Sequence, residues 1–106
     1  MHGIKIAEQI IEEAKRHGKP IAISVELGSL APMTEEELIS LLKTFVDWKI
    51  NILSKKGVVS CKCGYYGGPK IVERGHDFLI LECPECRSQD VKIISGNKII
   101  LKSVEV

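Results

Sequence analysis

The chain has 106 residues, 44% of them hydrophobic, which fits one small domain or two sub-domains that share little core. Its 15 basic and 14 acidic residues leave a net charge of +1, without the basic stripe of a nucleic-acid binder. No apolar run is long enough to span a membrane, and His2, Lys5 and Glu8 argue against a signal peptide. We therefore expect a cytoplasmic protein that binds neither nucleic acid nor a membrane.

The first predicted element is an amphipathic helix over residues 4–14. Its apolar residues recur at spacings of three and four, and charged residues take the other face. The sequence HGKP at 17–20 suits the end of this helix. The next segment, 21–27, alternates strictly between apolar residues and small or polar ones, which predicts a half-buried strand that ends at Gly28.

A second helix is predicted behind Thr34, because Thr34 and Glu37 form a capping-box signature. The apolar residues that follow trace one face of this helix, and we interpret all of them, the aromatic ones included, as core residues. They are Leu38, Leu41, Leu42, Phe45 and Trp48.

Short β-prone segments follow from residue 50 onward. Gly96-Asn97 stands between two apolar runs, which predicts a two-residue hairpin turn. The last run lacks clean alternation, because Lys102 and Ser103 are adjacent polar residues. We expect this last strand to lie beside the 21–27 strand in one sheet.

The predicted fold class is α+β, with two helices packed on a small mixed sheet and an inserted four-cysteine unit that resembles a zinc ribbon. The helix–sheet domain would comprise residues 1–57 and 91–106. The insertion would comprise residues 58–90.

Four cysteines occur in two close pairs, CKC at 61–63 and CPEC at 83–86. In a reducing compartment such pairs indicate a metal site and not disulfides. The spacing predicts a tetrahedral four-sulfur site. Its ligands would be Cys61, Cys63, Cys83 and Cys86. Zinc is the expected ion, and iron of the rubredoxin type is the alternative, since the geometry suits both.

The first pair is irregular, because one residue separates its cysteines where a zinc ribbon normally has two. His76 is the candidate to replace one sulfur, and a solvated loop histidine is the alternative interpretation. Four thiolates close the coordination shell, so we interpret the centre as structural. The metal would stabilise a short β segment with few large apolar residues. A redox role is disfavoured because no helix is predicted behind the CPEC pair.

The first three residues offer a second set of metal donors. The terminal amine of Met1 and the amide nitrogen and Nδ1 of His2 close small chelate rings, and the Gly3 amide nitrogen is within reach. A planar set of nitrogen donors suits Ni(II) and Cu(II) but not zinc. A frayed, solvated histidine is the alternative interpretation of His2.

Jointly, these motifs resemble the HypA family of hydrogenase nickel-incorporation metallochaperones. The resemblance rests on Met1-His2 ahead of a helix, the VELGSL segment, the cysteine pairs and the ending IISGNKIILKSVEV. It implies that Ni(II) is held through His2 and neighbouring backbone nitrogens, and that the four cysteines hold structural Zn(II). It also implies delivery of nickel to the large subunit of nickel–iron hydrogenase with a partner GTPase, and in some bacteria a role in urease maturation.

Two positions depart from the family pattern. Gly3 stands where the family usually has glutamate, so a backbone nitrogen donor is kept and a carboxylate is lost. The C-x-C spacing of the first cysteine pair is the second departure. The chain also has no G-x-x-x-x-G-K-[ST] phosphate loop, so a nucleotide-driven step would belong to a partner, and we expect no enzymatic turnover.

Two other classes of function stay open at this point. The cysteine pairs also fit a zinc-ribbon module for nucleic-acid or protein interaction, although the near-neutral charge and an aromatic content of 5% argue against nucleic acid. A steep salt dependence of binding would support that class. Electron transfer through a four-sulfur iron site is the other class, and it would give a coloured protein, whereas a zinc protein is colourless.

Overall fold

The computed structural model describes residues 2–75 and 78–106 and, at position 2, the backbone alone. The elements are α1 (His2–Lys15), β1 (Ala22–Gly28), α2 (Glu35–Phe45), β2 (Lys49–Lys55), β3 (Val58–Cys61), β4 (Tyr66–Gly67), β5 (Lys70–Arg74), β6 (Leu79–Glu82), β7 (Val91–Ser95) and β8 (Ile99–Glu105). The described strands form three small sheets, in the orders β2-β1-β8, β4-β3-β7 and β5-β6. The predicted α+β class with two helices is confirmed.

The first sheet is mixed, since β1 pairs in parallel with β2 and antiparallel with β8. The predicted pairing of the last strand with the first is therefore confirmed. Its broken alternation has a local cause. Ser24 lies opposite Ser103 and Val25 opposite Leu101, so Lys102 is the extra residue of a β-bulge. The Lys102 ammonium lies 3.7 Å from a carboxylate oxygen of Glu26.

Both helices pack with this sheet around one core, and we call α1, α2 and the β2-β1-β8 sheet the amino-terminal unit. The capping box of α2 is present, because the Glu37 N–H donates to Thr34 Oγ1 at 3.2 Å. Twelve buried residues form the core: Ala7, Ile10, Ile11, Ala14, Ile23, Val25, Leu27, Ala31, Met33, Leu38, Leu42 and Trp48.

The prediction that Phe45 belongs to the core is wrong, because its side chain is 50% exposed. The helix ends at Phe45, and Val46 adopts an extended conformation that redirects the chain. Trp48 is buried as predicted, but it reaches the core from the connection behind α2 and not from the helix. The apolar pattern with a period of 3.6 residues therefore continues in the sequence for about one turn beyond the end of the observed helix.

The strands β3 to β7 and the turns between them contain the four cysteines, and we call these strands with their turns the cysteine-rich unit. Its core has three buried residues, Leu30, Val59 and Leu81, with Tyr65, Leu79 and Val91 packed against them. Because β7 pairs with β3, residues 91–95 belong to the sheet of this unit. The division into domains at residues 57 and 91 stays a prediction.

The predicted hairpin at Gly96-Asn97 is wrong. The runs on either side join different sheets, β7 with β3 and β8 with β1. Backbone packing explains the separation: a Cβ on Gly96 would lie 2.4 Å from Gly57 Cα, and a Cβ on Gly28 would lie 2.1 Å from the Gly96 carbonyl oxygen. Gly96 also has a left-handed φ of +83°, which favours glycine. Three glycine backbones therefore meet where the two units join.

Residues 28–31, which we call the joint segment, connect the two units by hydrogen bonds. The Ser29 N–H donates to the Lys55 carbonyl at 2.8 Å, and the Leu30 N–H donates to the Gly96 carbonyl at 2.8 Å. The Ser29 hydroxyl accepts from the Gly57 N–H at 2.7 Å. The segment is thus tied to the connections that enter and leave the cysteine-rich unit.

Side chains complete this junction. Leu30 enters the core of the cysteine-rich unit, whereas its neighbour Ala31 lies in the core of the amino-terminal unit. From β5, the Arg74 guanidinium donates to the carbonyls of Ser29 at 2.7 Å and Ala31 at 2.9 Å. Leu30 and Ala31 are therefore neighbours in the chain that belong to different cores. Arg74 donates hydrogen bonds to the backbone carbonyls of Ser29 and Ala31, at this same point of the chain.

Candidate metal centre

The structure brings the four cysteine sulfurs together. The Sγ atoms of Cys61 and Cys86 are 3.6 Å apart, as are those of Cys63 and Cys83, and all four lie within 4.8 Å of one another. A tetrahedron with metal–sulfur bonds of about 2.3 Å has edges of about 3.8 Å. The spacing therefore fits four thiolates around one ion, and it is too long for disulfides.

Each cysteine pair lies in a tight turn that ends in a left-handed residue. In the first turn the Gly64 N–H donates to the Cys61 carbonyl at 2.9 Å, and Gly64 has a φ of +99°. In the second turn the Arg87 N–H donates to the Cys83 carbonyl at 2.8 Å, and Arg87 has a φ of 63°. The C-x-C and C-x-x-C spacings thus lead to similar turns.

Backbone N–H groups aim at the sulfurs and change their acidity. Burial raises the pKa of the Cys83 thiol, but the N–H groups of Cys86 and Glu85, with the sulfurs of Cys63 and Cys86, lower that pKa to about 7. A thiol this acidic ionises readily near neutral pH, and the thiolate is the form that binds metal. Cys83 is also the one cysteine of the four that is fully buried.

The pKa of the Cys63 thiol is shifted in the opposite direction. The Tyr65 N–H lowers the pKa of its thiol, but partial desolvation by neighbouring atoms and the sulfurs of Cys83, Cys86 and Cys61 outweigh this and raise the pKa to about 12. Thiolates this close repel one another, so they cannot all ionise without a cation between them. The cluster is therefore chemically incomplete without a metal ion.

The donor set and its surroundings fit a structural site. Four soft thiolates suit zinc or iron and leave no open position for a substrate. Cys63 and Cys86 are nevertheless exposed and line a shallow depression together with Tyr65, Tyr66 and Glu85. Among the described residues, this is the one cluster of three or more cysteine, histidine or acidic side chains that could hold a metal.

The other predicted site residues are described in part or not at all. Met1 and His76 lie outside the described residues, so the predicted donor role of the first and the predicted substitution by the second stay predictions. His2 is described by its backbone, which begins α1, and Gly3 lies in the same first turn. The predicted nickel-donor role of His2 and Gly3 stays a prediction.

Sequence reasoning missed the residues that join the two units. The sequence analysis gave no role to Arg74, and of the joint segment it identified only Gly28, as the end of a strand. Three glycines at 28, 57 and 96 were the available signal, because backbones that approach closely require glycine. Their proximity in space, however, is a property of the fold alone.

The fold and the thiol cluster define a small metal-binding protein built from two joined units. A family model described as "Hydrogenase/urease nickel incorporation, metallochaperone, hypA" matches residues 1–106. The chain therefore belongs to the HypA family of nickel metallochaperones. In keeping with this, neither described helix has the length and apolar character needed to cross a membrane.

Curated relatives agree with this assignment. The hydrogenase maturation factor HypA of Methanosarcina acetivorans is 30% identical over 128 residues, which cover 100% of this chain and 96% of that protein. The protein of the same name from Methanocaldococcus jannaschii is 28% identical, over 90% of this chain and 79% of the relative.

Solved structures share the fold. The solution structure of the nickel metallochaperone HypA from Helicobacter pylori superposes with a TM-score of 0.60 at 22% identity, over 96% of this chain and 94% of that one. Another solution structure of a HypA protein gives a TM-score of 0.51 at 24% identity, over 95% and 88% of the two chains. The α+β arrangement described above is therefore that of the family.

Proposed function

We propose that this protein binds Ni(II) at its amino terminus and delivers it during maturation of nickel–iron hydrogenase. The observation that carries the proposal is the family match over the whole chain. Both relatives described above are named hydrogenase maturation factors, which supports the client class. The protein performs no catalysis of its own and works in the cytoplasm. Its partners are a nickel-handling GTPase and the hydrogenase large subunit.

The nickel donors are the terminal amine of Met1, the amide nitrogen and Nδ1 of His2, and the amide nitrogen of Gly3. The first N–H groups of a helix have no intrahelical acceptor, so the first-turn amides at the start of α1 are available. The positive end of the helix dipole disfavours a bound cation, and no acidic residue in the first turn neutralises it. An amide nitrogen that loses its proton on binding carries negative charge, which offsets this repulsion. Nickel binding therefore depends on pH and is moderate in strength.

The four thiolates of the cysteine-rich unit hold zinc as a structural ion. When bound, zinc supplies positive charge between four sulfurs without redox chemistry. Cys61, Cys63, Cys83 and Cys86 would be the ligands, and the N–H groups directed at the sulfurs orient them. The domain that carries zinc would thus be separate from the helix–sheet domain that carries nickel.

An acid titration tests the difference between the two sites. Protons compete with nickel for an amine with a reference pKa of about 7.7–8.0 and an imidazole with one of about 6.5. Nickel affinity therefore falls as the pH falls through this window, whereas zinc held by four thiolates is retained to lower pH. Metal analysis after each step measures both, and simultaneous release of nickel and zinc would contradict the proposal.

Substitution of the imidazole tests the location of the nickel site. Nickel uptake by the intact chain should be lost in His2→Ala, and one extra residue ahead of Met1 should have the same effect. His17→Ala is the matched control, because His17 is an exposed histidine beyond the other end of α1. Equal uptake by His2→Ala and the unchanged protein would remove the amino-terminal site from the proposal.

A further inference from the structure

Gly3 occupies an unusual position for a glycine. It lies in the first turn of α1, where glycine is less favourable than alanine. Its backbone has no positive φ, so conformational freedom does not explain the residue. The space around it does: a Cβ on Gly3 would lie 3.1 Å from Met33 Cε and 3.2 Å from Leu41 Cδ2. The absent side chain lets the first turn rest directly on these two side chains.

Met33 is suited to form such a contact. It is 7% exposed and belongs to the core of the amino-terminal unit. Its thioether is unbranched and adaptable, so its terminal methyl fills gaps that a branched side chain would not reach. It also follows the joint segment by two residues, and hydrogen bonds fix that segment on both sides. The methyl group therefore extends from an anchored segment to the first turn of α1.

We propose that Met33 is a positioning residue for the amino-terminal nickel donors, acting through the contact of its side-chain methyl with Gly3. This inference rests on the proposed nickel function. Donors at the end of a chain must be ordered before they can chelate, and each residue that is ordered in advance lowers the cost of binding. Met33 and Leu41 pack against Gly3, whose amide nitrogen is one of the proposed donors, and Met33 itself need not touch the metal.

The contact also gives a physical meaning to the glycine at position 3. The Cβ of any other residue there, including the glutamate that the family resemblance implies, would require Met33 and Leu41 to move by a few tenths of an ångström. In this chain the close contact takes the place of a carboxylate at the helix entry. Positioning by packing and positioning by a charged side chain are thus alternatives at one site.

The first experiment compares nickel binding by Met33→Ala and Met33→Leu in the full-length, zinc-loaded protein. Titration with Ni(II) should give an affinity about tenfold weaker for Met33→Ala, in the range seen when residues that orient metal ligands are removed. Met33→Leu, which keeps most of the volume, should stay within about threefold. Amide hydrogen exchange at residues 4–7 of the nickel-free protein should become faster in Met33→Ala.

A matched control separates positioning from lost stability. Trp48 lies in the same core but near Lys15, at the other end of α1. Trp48→Leu should lower the stability of the unit without changing nickel affinity or exchange at residues 4–7. If Trp48→Leu weakens nickel binding as much as Met33→Ala does, general destabilisation explains both effects and the inference is overturned.

A double-mutant cycle with Gly3→Ala tests the contact itself. The added methyl should speed exchange at residues 4–7 and weaken nickel binding when Met33 is present, and should have a smaller effect when position 33 is alanine, where only the contact with Leu41 Cδ2 remains. Purely additive effects would overturn the inference, and so would unchanged nickel affinity in Met33→Ala. Exchange in the nickel-free protein is read independently of metal. Failure of the amino-terminal nickel site, reported by His2→Ala, is therefore distinguishable from failure of the Met33 contact.

Discussion

The core of the amino-terminal unit contains twelve buried residues, from two helices, one strand and the connections between them, whereas the core of the cysteine-rich unit contains three besides Cys83. Burying one large aliphatic side chain contributes about 1.5–3 kcal/mol. Apolar burial can thus stabilise the first unit, whereas three residues cannot offset the ordering of five strands. We therefore expect the second unit to depend on a metal ion at the cysteine cluster. One small chain would then combine two different sources of stability.

The aromatic residues allow each unit to be observed separately. The single tryptophan, Trp48, is buried in the amino-terminal unit, and both tyrosines, Tyr65 and Tyr66, lie in the cysteine-rich unit. Tryptophan fluorescence therefore reports the first unit, and tyrosine fluorescence reports the second. The predictions below use this difference.

The largest effect is expected from Cys83→Ser, which removes the buried thiol of the cysteine cluster. Binding of structural zinc contributes about 10–16 kcal/mol in zinc-finger peptides, so its loss should unfold the cysteine-rich unit. Amides of β3 and β7 should lose hydrogen-exchange protection, whereas those of β1 and α2 should keep it. Lys62→Ala is the matched control, because Lys62 is exposed in the same cluster of turns. Joint loss of protection in both units would contradict the comparison.

The reverse experiment is Leu38→Ala in the amino-terminal unit. Leu38 is fully buried, so its truncation should lower the free energy of unfolding of this unit by about 2–5 kcal/mol. Denaturant unfolding followed by Trp48 fluorescence measures the change. Zinc content and tyrosine fluorescence before the transition should not change. Release of zinc by the folded variant would show that metal binding in the cysteine-rich unit depends on the core of the amino-terminal unit.

A smaller effect is expected at the junction, from Arg74→Ala. Hydrogen bonds to a charged group contribute about 1.5–3 kcal/mol each, and partial exposure reduces this, so we expect a loss of about 1–3 kcal/mol. The exchange of the Leu30 amide should become faster while both cores stay protected. Arg74→Lys should recover part of the effect, since an ammonium cannot reach both carbonyls with a planar fork. Unchanged Leu30 exchange would indicate that the glycine packing and the hydrogen bonds of the joint segment join the units without Arg74.

The smallest effects are expected in the two cysteine turns, where one substitution should stabilise the unit and the other should destabilise it. A non-glycine residue in the left-handed region is strained by about 1–2 kcal/mol, and glycine gains unfolded-state entropy of about 0.4–1 kcal/mol. Arg87→Gly should therefore stabilise the zinc-loaded cysteine-rich unit by about 0.5–1 kcal/mol. Gly64→Ala should destabilise it by a similar amount, although the space beside Gly64 is free. Tyrosine-monitored unfolding of both variants gives the comparison, and changes of equal sign would refute it.

Local features of the sequence determined much of this protein. The period of α1, the capping box of α2, the alternation of β1 and the spacing of the cysteines depend on residues close together in the chain. Their physical causes act within a few residues, so they can be read without tertiary information. The family pattern at Met1-His2 and the four cysteines is of the same kind.

The tertiary structure decided which segments meet. It separated the runs around Gly96 into two sheets, left Phe45 exposed while burying Trp48, and made Lys102 a bulge that faces Glu26. It also brought Arg74 to the joint segment and Met33 to Gly3. These outcomes depend on packing between segments that lie tens of residues apart. Local propensities act within a few residues and therefore do not determine such contacts.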